Sequence, residues 1–286
     1  MVPKVVLMRK QVELDNVTKF YTGQERHLHA LHEVSFEIDN GEFISIVGPS
    51  GCGKSTLLKI IAGLDSPSSG EVRVKGDAVR GPHSQVSMVF QAFGLFPWRT
   101  VLENVEYGLE MRRTPKNERR KTARQYLEMV GLSGYEHMYP KQLSGGMKQR
   151  VGIARALAVD PEVVLMDEAF SAIDEVTADV LREEVGAIHK QTGKTFVLVT
   201  HNLPEAIELA DKVVVLSSRP AKVKKIFHVK LNRPRDREHA TFVHMHTDIL
   251  HLLKEELENS LLRHKLRGMK EIQNIHNLEN SEKPSA

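Results

Sequence analysis

The 286-residue chain is long enough to bury one large core with an appendage, or two small ones. Its 40 Lys and Arg nearly balance 37 Asp and Glu, a net charge of +3 that does not describe a polyelectrolyte binder, so nucleic acid is not an expected partner. The lone Cys52 excludes an intramolecular disulfide and suits a reducing compartment, and no window approaches the ~18 apolar residues of a membrane-spanning helix. The chain is therefore expected to be soluble, or to reach a membrane only through a partner.

In chain order, FISIV (43–47), VRV (72–74), VSMVF (86–90), VVLM (163–166), FVLV (196–199) and VVVL (213–216) predict strands. The last three are continuously apolar, as strands covered on both faces must be, and helical segments separate them; a mostly parallel α/β sheet follows. Between 101 and 160 the pattern is helical, with Leu102, Val105, Tyr107 and Leu109 in one piece and Tyr126, Leu127 and Val130 in another. This predicts a helical insertion in the α/β core. Asp174 is a good N-cap for a helix that carries Leu181, Val185 and Ile188 on one face and stops at Gly193. After Ser217 the sequence turns basic and proline-punctuated, including RPRDR (233–237). A helical stripe of Ile249, Leu250, Leu253, Leu257 and Leu261 is expected to dock on the domain, and the polar end from Asn274 to be disordered.

Directly after the first apolar strand stands GPSGCGKST (48–56), which matches G-x-x-x-x-G-K-[ST] in the strand-to-helix context that pattern requires. Gly48, Pro49, Ser50, Gly51, Cys52, Gly53, Lys54, Ser55 and Thr56 are expected to line a phosphate site. There the glycines let backbone N–H groups converge, Lys54 reaches the terminal phosphates and the Ser55 hydroxyl holds Mg²⁺. The alternative is a tight turn with an incidental lysine. VVLMDE (163–168) ends a strand with two carboxylates: Asp167 for Mg²⁺ and Glu168 as general base, or an ordinary polar turn. Gln91 and His201, each after a strand, read either as site residues or as polar caps. Cys52, at a helix N-terminus, is expected to have a lowered thiol pKa and to block nucleotide when alkylated. The pairs His27/His29 and His244/His246 lack a third spaced ligand and are not expected to bind metal.

GPSGCGKST, Gln91, LSGGMKQR (143–150), VVLMDE, SAID (171–174) and His201, in that order, resemble the nucleotide-binding subunit of an ATP-binding cassette (ABC) transporter over roughly residues 12 to 217. The resemblance implies an α/β P-loop cassette with a mostly parallel core sheet, an antiparallel N-terminal β subdomain and a helical subdomain at about 92–160. The cassette spans 11–220; an extension with a short helix follows at 221–270, and a disordered tail at 271–286. It implies ATP and Mg²⁺, with Ser55, Gln91 and Asp167 on the metal and Glu168, His201 and Gln91 in catalysis. Ser144, Gly145 and Gly146 of the signature would close over the nucleotide of a second copy in a head-to-tail homodimer, and Asp174 would lie at the seam. Tyr21 would stack on adenine, with Phe20 the near alternative and inward packing the plain one. Ile173 and Ala169 stand where relatives more often carry Leu and Pro. The implied partners are an integral membrane permease and, through it, a substrate-binding protein, which places the chain on the cytoplasmic face of the inner membrane. FPWRTVLENV, with Trp98, is similar to a region that receives the permease, core packing of Trp98 being the alternative. That segment and RPRDR are also similar to the nitrate, sulfonate and taurine importer ATPases. A non-transport ATPase on the same cassette is the competing reading.

Overall fold

The computed structural model describes residues 10–22 and 27–281. Two sheets organise it. The first is antiparallel, with strands β1 (Lys10–Thr22), β2 (His27–Asp39), β4 (Ser69–Val74) and β5 (Asp77–Ala78) in the order β2-β1-β4-β5. The second has six strands: β3 (Phe43–Val47), β6 (Val86–Val89), β7 (Val163–Asp167), β8 (Thr195–Val199), β9 (Lys212–Leu216) and β10 (Val223–His228), ordered β10-β9-β3-β8-β7-β6. All its pairings are parallel except β10 with β9. The VRV run thus belongs to the antiparallel sheet, and the other five predicted strands form the parallel one.

The alternation along each central strand explains why these runs are apolar throughout. Phe43 and Val47, Val164 and Met166, Phe196 and Leu198, and Val213 and Val215 face one core. Their neighbours Ile44 and Ile46, Val163 and Leu165, Val197 and Val199, and Val214 and Leu216 face the other. The second core is closed by α1 (Lys54–Ile61), whose Leu57, Leu58, Ile60 and Ile61 are buried between the two sheets. Each such side chain contributes about 1.5–3 kcal/mol by leaving water. The first core is closed by α2 (Val101–Met111), α3 (Lys116–Met129), α4 (Gly145–Ala158), α5 (Glu175–Thr192), α6 (Leu203–Leu209) and the start of α7 (Ala240–Ser281).

Local chemistry sets the helix ends. Thr100 and Glu103 form a reciprocal capping box at the start of α2. Asp174 caps α5 by accepting from the Thr177 N–H at 3.0 Å, and Gly193 ends that helix at φ 62°. The RPRDR segment closes α6 instead of forming an element of its own: Arg235 donates to the carbonyls of Ile207, Glu208 and Ala210, satisfying the helix's orphan acceptors.

The C-terminal helix departs from expectation. It is 42 residues long where a short helix is expected, and it continues to Ser281 through much of the tail expected to be disordered. Residues 282–286 lie outside the described residues. Ile249 is buried against the core and Leu250 and Leu253 pack on it, but Leu257 and Leu261 are 49% and 64% exposed. The docked stripe therefore ends about one turn after Leu253.

Candidate nucleotide site

The strand order brings four loops to one edge of the parallel sheet. β3 runs into the glycine-rich loop, β7 ends at Asp167, β8 precedes His201 and β6 precedes Gln91. Ligands of open parallel sheets lie at this carboxyl edge.

In the loop, Gly48, Pro49 and Cys52 are buried, Ser50 and Gly51 exposed, and Gly53, Ser55 and Thr56 half-buried. Gly53 takes φ 128°, which an L side chain rarely adopts, and a Cβ there would lie 2.9 Å from Leu31. Lys54 is 5% exposed, and its ammonium donates to the carbonyls of Gly48 (2.9 Å) and Pro49 (3.2 Å). A buried ammonium held by its own loop is poised to exchange those carbonyls for phosphate oxygens. No acidic residue stands in the first turn of α1, so the helix's positive end is left uncompensated.

Cys52 corrects an expectation. It is 1% exposed, and burial pushes its thiol pKa up, outweighing the lowering by Lys54 and by backbone N–H groups. The thiol is a small packing group of the second core and not an activated nucleophile.

Ser55 Oγ donates to Asp167 Oδ1 at 2.9 Å. Burial raises the Asp167 pKa; the Ser55 bond opposes that, and the neighbouring Glu168 charge adds to it. Hard oxygens of a hydroxyl and a carboxylate in contact suit Mg²⁺.

One residue further, Glu168 adopts φ 46°, a left-handed conformation that costs a non-glycine residue roughly 1 kcal/mol. Two backbone bonds pin it there: its N–H to the Val199 carbonyl at 2.8 Å, and the Ser171 N–H to its own carbonyl at 3.1 Å. Its Oε2 accepts from Gln91 Nε2 at 3.0 Å and lies 3.4 Å from His201 Nδ1. Gln91 also meets Ser171 Oγ at 3.3 Å. Two polar residues from two other strand ends, Gln91 and His201, thus converge on one Glu168 carboxylate oxygen. Gln91 and His201 are exposed, open to whatever occupies the edge.

Tyr21, on β1, is 37% exposed and not packed inward. Its hydroxyl donates to Asp65 at 2.7 Å and lies 3.4 Å from the hydroxyl of Thr56, which ties it to the start of α1. Phe20 points elsewhere and stacks on His29 with ring centroids 4.1 Å apart. Asp65, which also accepts from Lys19, has no motif of its own in the sequence; it lies 44 residues from Tyr21.

The signature stretch forms a different kind of site. Ser144 caps α4 through a bond from the Met147 N–H at 3.3 Å and is itself exposed. The two glycines have a steric cause within the chain: a Cβ on Gly146 would lie 2.5 Å from Thr177, and one on Gly145 3.3 Å from Ile173. The start of α4 therefore rests directly on the turn carrying SAID. Trp98 is 71% exposed, so it is not a core residue. Among the described residues, no three His, Cys, Asp or Glu side chains gather as a metal cluster, and the His27 side chain lies outside them.

The comparisons agree with this architecture. Residues 31–171 match the ABC transporter family. An uncharacterized ABC transporter ATP-binding protein of Methanocaldococcus jannaschii is 48% identical over 254 residues, which is 89% of this chain and 95% of that protein. The chain belongs to the ABC transporter ATP-binding family. It is an ATP-binding ATPase cassette. An aliphatic sulfonates import ATP-binding protein of Bacillus cereus is 40% identical over 239 residues, 84% of this chain and 94% of that one. A nitrate import ATP-binding protein of a Synechocystis species is 44% identical over 227 residues, 79% and 85% of the two chains. Among solved structures, a dimeric post-hydrolysis ATP-binding cassette bound to ADP and Pi superimposes with a TM-score of 0.68 at 36% identity, covering 77% of this chain and 99% of that one. No helix among the described residues of the cassette is long and apolar enough to cross a membrane.

Proposed function

We propose that this cassette hydrolyses ATP for an importer of sulfonates, taurine among them, or of nitrate. It would act as a head-to-tail pair of copies on the cytoplasmic face of the membrane, coupled to a separate permease that a substrate-binding protein supplies. The observation that carries the hydrolytic part is the convergence of Gln91 and His201 on Glu168. The cargo class is supported by the two import relatives.

In this reading the backbone N–H groups of residues 50–55 and the Lys54 ammonium bind the phosphates, and Tyr21 flanks the adenine. Ser55, Asp167 and Gln91 would hold Mg²⁺, which neutralises phosphate charge when bound. Glu168 accepts a proton from the attacking water while the new oxygen–phosphorus bond forms and the bond to the β-phosphate oxygen breaks, leaving ADP and phosphate. Gln91 and His201 fix the carboxylate that takes the proton. Ser144, Gly145 and Gly146 offer the N-terminus of α4 to the γ-phosphate held by the other copy, Asp174 lies at the seam, and closing and reopening of the pair drives the permease. A groove of about 320 Å³ beside Trp98, edged by Arg99, Glu103, Glu110, Lys116 and Arg120, is the surface we assign to the permease. Its mixed charges and exposed indole suit a polar helix with an apolar tip.

The test is Glu168→Gln with ATP, followed by light scattering and phosphate release. A dimer that persists without turnover is the expected result; turnover at the parental rate overturns the assignment. For cargo, a strain lacking this cassette is expected to lose growth on an alkanesulfonate as sulfur source or on nitrate as nitrogen source, and normal growth on both refutes the cargo class.

A further inference from the structure

After β9 the chain passes directly behind the glycine-rich loop. Ser217 and Ser218 are buried; the next residue, Arg219, is exposed and turns back to the loop. Its Nε donates to the Gly51 carbonyl oxygen at 3.0 Å, and a terminal guanidinium N–H donates to the same oxygen. Gly51 stands at φ 69°, in a stretch whose glycines give it little stiffness of its own. A trans peptide points its carbonyl and N–H in opposite directions. Holding the Gly51 carbonyl outward therefore turns the Cys52 N–H to the inside of the loop, where it bonds the Pro49 carbonyl at 3.2 Å.

The residue before Arg219, Ser218, is held by the C-terminal helix. Glu256 of α7 is 3% exposed, and its Oε2 accepts from the Ser218 N–H at 3.0 Å and from Ser218 Oγ at 3.1 Å. Its other oxygen pairs with Lys224 of β10 at 2.7 Å. Burial works to raise the Glu256 carboxyl, and Lys224 and Ser218 together outweigh it, leaving it below the ordinary carboxylate range. The helix that makes this contact is seated on the core by Phe242 and Ile249, so the clamp has a rigid base.

We propose that Arg219 is a positioning residue for the phosphate loop and that α7, through Glu256 and Ser218, sets its reach, so that the C-terminal extension tunes the affinity for ATP. This rests on residues 48–55 being the phosphate cradle.

The test is steady-state MgATP hydrolysis by the full chain, with thermal unfolding recorded for each variant. Arg219→Ala is expected to raise KM about fivefold, with kcat within about twofold of the parent and the unfolding temperature unmoved; Arg219→Lys, which keeps one donor, recovers part of the loss. Glu256→Ala is expected to raise KM in the parent and to add nothing in the Arg219→Ala background, because the two act in series. Since Glu256 is buried, Lys224→Met gives a milder version should Glu256→Ala fail to fold: a KM increase of about twofold in the parent and none without Arg219. Independent, multiplying effects refute the link to α7. Parental KM in Arg219→Ala, with ATP binding lost in Lys54→Ala, overturns this inference and leaves the cradle standing; ATP binding intact in Lys54→Ala overturns the cradle itself.

Discussion

The glycine-rich loop and the signature stretch both open a helix with glycines, yet they are built for different situations. At the loop three side chains are held inside the chain: Lys54 donates to two carbonyls, Ser55 to Asp167, and Arg219 grips Gly51 from behind. At the signature, Ser144 caps α4 and is otherwise exposed, and the glycines serve to seat the helix on the SAID turn. In the proposed site the first arrangement would exchange these internal partners for phosphate. The second presents a finished helix N-terminus outward. A chain that carries one of each is suited to lend its second feature to a copy's first.

The largest expected effect breaks the chemistry while leaving both helix starts intact. Glu168→Gln should lower kcat by about 10³ with ATP affinity retained, read by phosphate release and nucleotide titration. Next, Lys54→Ala should weaken ATP binding by about 100-fold, because in the proposed site the loop end alone would contact phosphate before a dimer forms. Its counterpart at the other end is Ser144→Arg, which sets a cation against the positive end of α4. It should leave monomer affinity for ATP near the parental value and abolish the ATP-dependent dimer in the Glu168→Gln background, seen by light scattering; loss of affinity in the isolated subunit would mean that the two ends act on the same nucleotide within one chain.

The smallest effect probes the joint between the ends. α5 follows its cap Asp174 and α6 follows His201, and the two helices are tied by Arg182, which pairs with Glu175, Asp179, Glu205 and Glu208. Burial pushes the Glu205 carboxyl up to about 7, because Arg182 is shared among four carboxylates and offsets only part of that cost. An acid whose pKa is raised by folding contributes stability that is present at low pH and lost as pH rises through the folded value. Stability should therefore fall by up to about 1 kcal/mol per pH unit between about pH 5 and 7, and Glu205→Gln should remove that slope in urea titrations.

Much of the fold was legible because strands buried on both faces must be apolar at every position, as 163–166, 196–199 and 213–216 are. The glycine-rich turn from β3 into α1 was legible because its backbone demands glycine, as the positive φ of Gly51 and Gly53 shows. Asp174 and Gly193 announced the ends of α5 by local chemistry alone. What escaped notice depends on contacts between distant segments. Arg219 and Gly51 are 168 residues apart, and Tyr21 and Asp65 are 44, with nothing local to mark either pair. The thiol of Cys52 was misjudged because position at a helix start says nothing of the core packed against it. The length of α7 was missed because a polar sequence can continue a helix that an apolar stretch has already anchored.

That same cysteine gives the protein a practical property. Because the sole sulfhydryl is sealed in the interior, the native chain is in effect a silent background for thiol-directed probes. A fluorophore or spin label placed on an engineered surface cysteine, near Trp98 or along the outer part of α7, would report from one known location.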